Sequence, residues 1–256
     1  MKRVLIVLLF TVAAVAQTRD LEKGKKILEQ TIQALGGQAY LNTHEFRTEG
    51  RAYQFDRYEE LAGMARIVNY EKQPDKFRQE MGKDGDVVYV VNGDQGWERT
   101  FRGVKEMMPA DVERIRTSRE LSIDTILRFR LKEPGLEVAQ VGVDIVDGRQ
   151  VDLLEIVDSQ NRVVNLTVDR KSHLPIRREW VRRLPKTGDR EENVETLGKY
   201  IRAKGTSIMM PTYIRRERNG IKIFEAFYNE VQAGGKLADS FFERPAGPEL
   251  KDPRRR

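Results

Sequence analysis

The feature that most restricts this chain is a two-residue alternation of apolar and polar side chains, broken at short intervals by turn residues. It is clearest over residues 163–181. Val164, Leu166 and Val168 alternate with Asn165, Thr167 and Asp169, the pattern of a strand with one face buried. The stretch from Asp169 to His173 supplies a turn, because Asp and Ser side chains bond nearby backbone groups. Pro175 can stand near the start of the next strand, since a strand's first residue need not donate to the ladder. Ile176, Trp180 and Leu184 continue that strand among Arg177, Arg178, Arg182 and Arg183. The spacing predicts a hairpin that is apolar on one side and charged on the other, and most of the chain repeats that unit.

Taken in order, Asp20 can cap a helix bearing Leu21, Ile27, Leu28, Ile32 and Leu35, with Gly36 and Gly37 as its stop. A short turn over 38–42 leads into strands predicted at 45–55, 64–73, 76–82, 87–92 and 97–101, the last two separated by the turn from Asn92 to Gly96. Pro109 begins a helical region reaching residue 132, with Asp111 and Glu113 placed to complement the helix dipole and a break near 118–122. Further strands follow at 136–146, 150–158, 162–169, 175–184, 192–204, 212–218 and 221–232. Asp147 with Gly148, and Asn219 with Gly220, mark tight hairpin turns. In the last strand Ile221, Ile223, Phe227 and Val231 share a parity with Glu225 and Asn229; a bulge or a partly polar inner face would account for that.

No helix-length pattern interrupts either group of strands, so successive strands are expected to pair antiparallel. A sheet of roughly a dozen strands curls, and only the two helical regions can cover its apolar face. The expected fold class is mainly β (α+β): an open antiparallel β-barrel, or strongly curved sheet, with helices covering the concave face. Such a shape either fills with side chains or keeps an apolar cavity.

The N-terminus reads as an export signal. Lys2 and Arg3 precede an apolar run over 4–13 and an Ala14-Val15-Ala16 cleavage site, which predicts a signal peptide over 1–16 cut after Ala16. The run is well short of the ~20 residues a spanning helix needs. Residues 17–245 are then expected to form a single domain and 246–256 a flexible basic tail. With 39% hydrophobic and 34% charged residues, the mature chain suits an ordered, soluble protein. Cysteine is absent, which excludes disulfides and a lipobox anchor, and a periplasmic location fits. Loss of Lys2 and Arg3 takes two charges from the formal +6. The remaining Arg and Lys are interleaved with Glu and Asp, the pattern of a solvated face rather than of a nucleic-acid site.

Chemistry-bearing motifs are few. His44 and His173 are the only histidines; one precedes a strand, the other sits in a polar turn, and no partner set completes a zinc site. No G-x-S-x-G elbow, P-loop or H-E-x-x-H motif occurs. Neither enzymatic activity nor a cofactor or metal is expected.

Several segments together resemble a known pattern: the export signal, the helix ending Ala34-Leu35-Gly36-Gly37, the turn from Val91 to Trp97, the hairpin from Val168 to Pro175, and the closing segments 227–229 and 239–245. In that order they resemble the outer-membrane lipoprotein carrier superfamily, the LolA/LolB-like and RseB-like proteins. The resemblance implies an unclosed β-barrel with a helical lid and an apolar cavity for acyl chains. It also implies lipid or lipoprotein acyl chains as ligand, and inner- and outer-membrane partners that exchange the cargo. Tyr89, Val91, Trp97, Leu166, Trp180 and Phe227 are the candidates for the cavity lining, ordinary core packing being the alternative for each. The resemblance leaves two functions: a periplasmic carrier in outer-membrane lipoprotein sorting, or a non-enzymatic lipid-sensing, partner-binding module of the RseB-like kind. A carrier must open, and the helices at 109–132 are expected to move as its lid.

Overall fold

The computed structural model describes residues 19–184 and 187–250; the expected signal peptide and residues 251–256 of the expected tail lie outside them. The chain opens with α1 (Leu21–Leu35) and α2 (Gln38–Asn42). Asp20 caps α1, its Oδ1 accepting from the Lys23 amide at 2.9 Å. Gly36, with φ of 128°, ends it, a conformation glycine adopts without strain.

Six strands follow: β1 (Glu45–Phe55), β2 (Leu61–Lys72), β3 (Lys76–Met81), β4 (Val87–Asn92), β5 (Gln95–Thr100) and β6 (Gly103–Glu106). A helical excursion comes next, made of α3 (Pro109–Glu120), α4 (Ile123–Thr125) and a π-helical turn (Ile126–Arg130). Seven more strands complete the sheet: β7 (Glu137–Val146), β8 (Arg149–Val157), β9 (Val163–Asp169), β10 (Pro175–Arg183), β11 (Arg190–Arg202), β12 (Met209–Arg218) and β13 (Ile221–Ala233). A 3-10 turn (Asp239–Phe242) lies in the closing segment.

All thirteen strands form one sheet in the order β6-β5-β4-β3-β2-β1-β13-β12-β11-β10-β9-β8-β7, antiparallel throughout. Each half of the chain meanders outward from the central β1–β13 pair. The two edges, β6 and β7, are therefore joined by the helical excursion, which must cross the concave side. Its break falls at Leu121 and Ser122, where the Ser122 hydroxyl accepts from the Thr125 amide at 3.2 Å. The predicted curved, open, mainly β architecture is the one observed.

The parity problem in β13 is solved by bulges. Glu49 pairs with Glu230 but Gly50 with Tyr228, leaving Asn229 as an extra residue. Arg216 pairs with Phe224 but Glu217 with Lys222, leaving Ile223 as another. Each bulge reverses the facing of the residues beyond it in the strand.

The two halves of the inner face differ. Over β7–β10 it is apolar and covered: Ile27, Leu28, Leu35 and Tyr40 of the first helices, with Leu121, Ile123, Ile126 and Leu127 of the excursion, pack on Val138, Leu154, Ile156, Val164, Leu166, Val168 and Trp180. Over β1–β6 the apolar cover lies on the outer face instead. There Leu237, Phe241 and Phe242 pack on Val88, Val90, Tyr70 and Trp97. Residues 246–250, expected to be loose, continue this strap along β6. The Val104 amide donates to Pro248 O at 2.8 Å and the Leu250 amide to Val104 O at 2.7 Å. They satisfy an edge strand whose backbone groups would otherwise be unpaired.

A cavity beneath a crossing helix

The uncovered part of the inner face encloses a cavity of about 750 Å³. Strand pairing explains its lining, because residues opposite each other across a ladder share a face. Thr48, Asn69, Gln79, Tyr89 and Glu98 are successive partners across β1–β5 and all face inward. Gln79 Nε2 donates to Asn69 Oδ1 at 2.8 Å, and Asn69 Nδ2 donates to Thr48 Oγ1 at 3.2 Å and Tyr228 Oη at 3.0 Å. Burial, partly offset by Arg216, pushes the Tyr228 phenol up to about 12, so it stays neutral. Phe55, Phe77, Met81, Ile214, Ile223 and Phe224 supply apolar surface, and Met107, Met108 and Ile115 supply more from the start of the excursion. The cavity is amphiphilic rather than apolar.

On the opposite wing, β10 departs from the sequence reading. Arg178, Trp180 and Arg182 share one parity and face inward together, opposite Glu195, Asn193 and Glu191. The strand is thus charged on its inner side, because Trp180 fixes the facing of both arginines. Arg178, 2% exposed, places Nη2 3.0 Å from Glu195 Oε2, and Arg216 Nε lies 2.9 Å from Glu195 Oε1. Burial pushes the Glu195 carboxyl up, but Arg178 and Arg216 outweigh it and hold the group below the usual carboxylate range. The guanidinium of Arg178 also stacks 4.0 Å above the Trp180 ring.

α3 roofs the cavity and is tied to both wings. Arg178 Nη1 donates to Ser118 O at 2.9 Å. On the other side Arg119 lies 3.3 Å from Glu71, donates to Lys76 O at 3.5 Å and sits 5.2 Å over the Phe77 ring. α3 buries only Val112 and Thr117; Asp111, Arg114, Ser118 and Arg119 line the cavity. A helix over a polar cavity has no continuous apolar stripe, which explains its irregular periodicity.

Of the six residues singled out from the sequence, Tyr89 and Trp180 line the cavity. Leu166 lies in the apolar core under the helices. Val91 shares the face of Tyr89 but is 1% exposed. Trp97 turns to the outer face because Gly96 and Glu98 face inward, and it packs beside the closing strap. Phe227 also points outward, 39% exposed, with Tyr53 at 6.0 Å and Tyr213 at 5.1 Å between ring centres. The bulges in β13 place it there. The arginine and glutamate wall was missed, although the shared parity of Arg178, Trp180 and Arg182 was readable.

His44 Nε2 lies 3.1 Å from Leu41 O and its ring 4.9 Å from Phe129. Among the described residues no group of three or more His, Cys, Asp or Glu side chains is placed to hold a metal ion, and no helix is long and apolar enough to cross a membrane.

The acidic pairs predict a pH dependence. Glu195 is held low as described, and in Asp158 burial is outweighed by Arg130 and Arg162. Arg130 and Arg66, respectively, lead in lowering Glu133 and Glu49. A carboxyl that titrates lower when folded lends stability above its ordinary value, 4.5 for Glu and 3.8 for Asp. That stability is lost as pH falls through the folded value. The urea midpoint should therefore stay level from about pH 7 to about 5 and fall below about 4.5; a midpoint that rises on further acidification would contradict these assignments.

The fold recurs among solved structures. A DUF1329 family protein from Desulfovibrio piger aligns with a TM-score of 0.60 at 14% identity, covering 88% of this chain and 98% of that one. A LolA superfamily protein from Nitrosomonas europaea gives 0.54 at 13%, covering 86% and 97%. A domain assigned to outer membrane lipoprotein sorting, from Vibrio parahaemolyticus, gives 0.54 at 12%, covering 87% and 97%. At these identities the likeness is one of fold. No family model and no curated protein matches the chain.

Proposed function

We propose that this chain, which has the LolA superfamily fold, is an exported, non-enzymatic carrier of lipid or of lipoprotein acyl chains in the periplasm, acting in outer-membrane lipoprotein sorting. The observation that carries the reading is the cavity of about 750 Å³ beneath α3, within the size range of small-molecule sites. Tyr89 and Trp180 are its proposed ligand contacts, with the acyl part against Phe77, Met81 and Phe224. The mature domain starts at residue 17 and takes in the strap at 246–250, which pairs with β6.

Magnitudes are compatible with a lid. The main ties of α3 are the charged hydrogen bonds of Arg178, Arg119 and Arg162, the last donating to Glu120 Oε2 at 2.9 Å, each worth about 1.5–3 kcal/mol. Burying a methylene gains about 0.8 kcal/mol, so roughly six to eleven methylenes offset their loss. Exchange of the α3 amides should be faster than that of β1 and β13 and should slow when ligand is bound; equal, unchanging rates would remove the lid.

The direct test is native mass spectrometry of the mature protein from a periplasmic extract, with lipid extraction of the same sample. One acylated species per chain is expected. A protein that is empty and also ignores added lipoprotein would reject the carrier reading. A partner-binding module is the second reading, favoured by the outer face, where Met64 is 59% and Phe227 39% exposed. It would be preferred if the native protein held a protein partner and no lipid.

A further inference from the structure

We infer that the cavity receives the anionic end of an amphiphile, a phosphate or carboxylate, against Arg182, Arg216 and Arg218, with the apolar part lying away from that wall. This rests on the carrier reading and names the chemistry of its ligand.

The inference starts from charge balance. The inner faces of β10–β12 carry Arg178, Arg182, Arg216 and Arg218 but only Glu191 and Glu195, an excess of two positive charges. Glu217, at the rim, is closed off by Arg215 at 2.9 Å. Around the rest of the cavity Lys105 lies 3.0 Å from Glu98, Arg114 3.1 Å from Asp111 and Arg119 3.3 Å from Glu71, and Glu106 and Asp124 line it as well. The positive surplus therefore belongs to the β10–β12 wall alone.

Donor capacity follows the same asymmetry. Glu191 alone serves both Arg182, at 3.1 Å, and Arg218, at 3.5 Å. That contact is made by the buried Nε of Arg218, which faces Glu191 Oε2 without completing a hydrogen bond. A guanidinium presents five donors in a planar fork suited to phosphate or carboxylate. Unlike Arg178, whose Nη groups are taken by Glu195 and Ser118, Arg182 and Arg218 line open space.

Apolar surface begins beside this wall. Phe224 is the ladder partner of Arg216, whose guanidinium lies 5.2 Å over its ring, and Met81 packs in the same cluster as Phe224. A ligand that met the arginines would place its next atoms against these side chains. That favours an amphiphile over a free anion.

The test is calorimetric titration of the full mature protein with dodecyl phosphate and dodecylphosphocholine, both below their micelle thresholds, and with inorganic phosphate. Dodecyl phosphate should bind at least about tenfold more tightly than dodecylphosphocholine. Arg218→Gln should reduce that ratio to about threefold, and Arg218→Lys, which keeps the charge, should retain most of it. A ratio near one in the wild-type protein would overturn the inference and leave the carrier reading standing. Inorganic phosphate binding as tightly as dodecyl phosphate would overturn the amphiphile. Failure of both dodecyl compounds to bind would take the carrier reading down with it.

Discussion

Replacing Arg178 with leucine should lower the unfolding free energy by about 3–5 kcal/mol, the usual cost of removing one member of a buried ion pair. The side chain is 2% exposed and carries three interactions: Glu195 at 3.0 Å, Ser118 O at 2.9 Å and the Trp180 face at 4.0 Å. Leucine leaves Glu195 buried with Arg216 alone and strips the α3 carbonyl of its donor, and a polar group left without its partner is itself expensive. The double substitution Arg178→Leu with Glu195→Leu should recover much of the loss, because only Arg216, whose side chain is 45% exposed, is then unpaired and water can reach it. Urea unfolding of the two single variants and the double variant measures this directly. If Arg178→Leu costs less than about 1 kcal/mol, the pair is not what joins lid to wall. Arg178→Lys separates the two roles: it keeps the charge but lacks the fork, so α3 amides should exchange faster even where global stability is largely retained.

The same arginine marks the limit of what the sequence could disclose. The meander was legible because alternation and turn chemistry are local. Asp147 and Gly148, with φ of 49° and 72°, and Asn219 and Gly220, with φ of 50° and 77°, adopt the left-handed pairs their identities announce. β6 was not legible, since four residues carry no alternation; its strand character comes from partners on both sides, β5 and the strap through Pro248 and Leu250. Parity divides a strand into two faces but does not say which face meets the cavity. In β10 the assumption that charge faces solvent reversed the answer. In β13 the bulges at Ile223 and Asn229 moved Phe227 to the outside. Tyr89 lies on β4, which pairs without a bulge, and Trp180 lies beyond the register shift between Pro175 and Arg177, so it shares its face with Arg178 and Arg182. The polar lining as a whole was hidden, because its members are brought together by pairing across strands distant in sequence, such as Asn69 with Tyr228.

Gly50→Ala should be the most damaging single-methyl substitution in the sheet, lowering stability by about 3 kcal/mol. Gly50 sits in β1 between β2 and β13, opposite the point where Asn229 bulges out of register. A Cβ there would press on the Phe227 carbonyl oxygen and lie 2.8 Å from Phe227 C and 2.7 Å from Tyr228 Cα. These are backbone atoms held by the ladder, so no side chain can rotate aside to make room. Relief requires β13 to move away from β1 at the seam joining the two halves of the sheet, next to Tyr228 in the cavity floor. Gly63→Ala is the matched control. It too is a strand glycine, but a Cβ at that position meets nothing within 4 Å, and the alanine should be neutral or stabilise by up to about 1 kcal/mol through the unfolded chain. From the sequence the two glycines are equivalent, so paired urea unfolding curves test the seam itself. A Gly50→Ala variant as stable as Gly63→Ala would show that β13 does not approach β1 at that bulge, and the register that assembles the cavity floor would have to be redrawn.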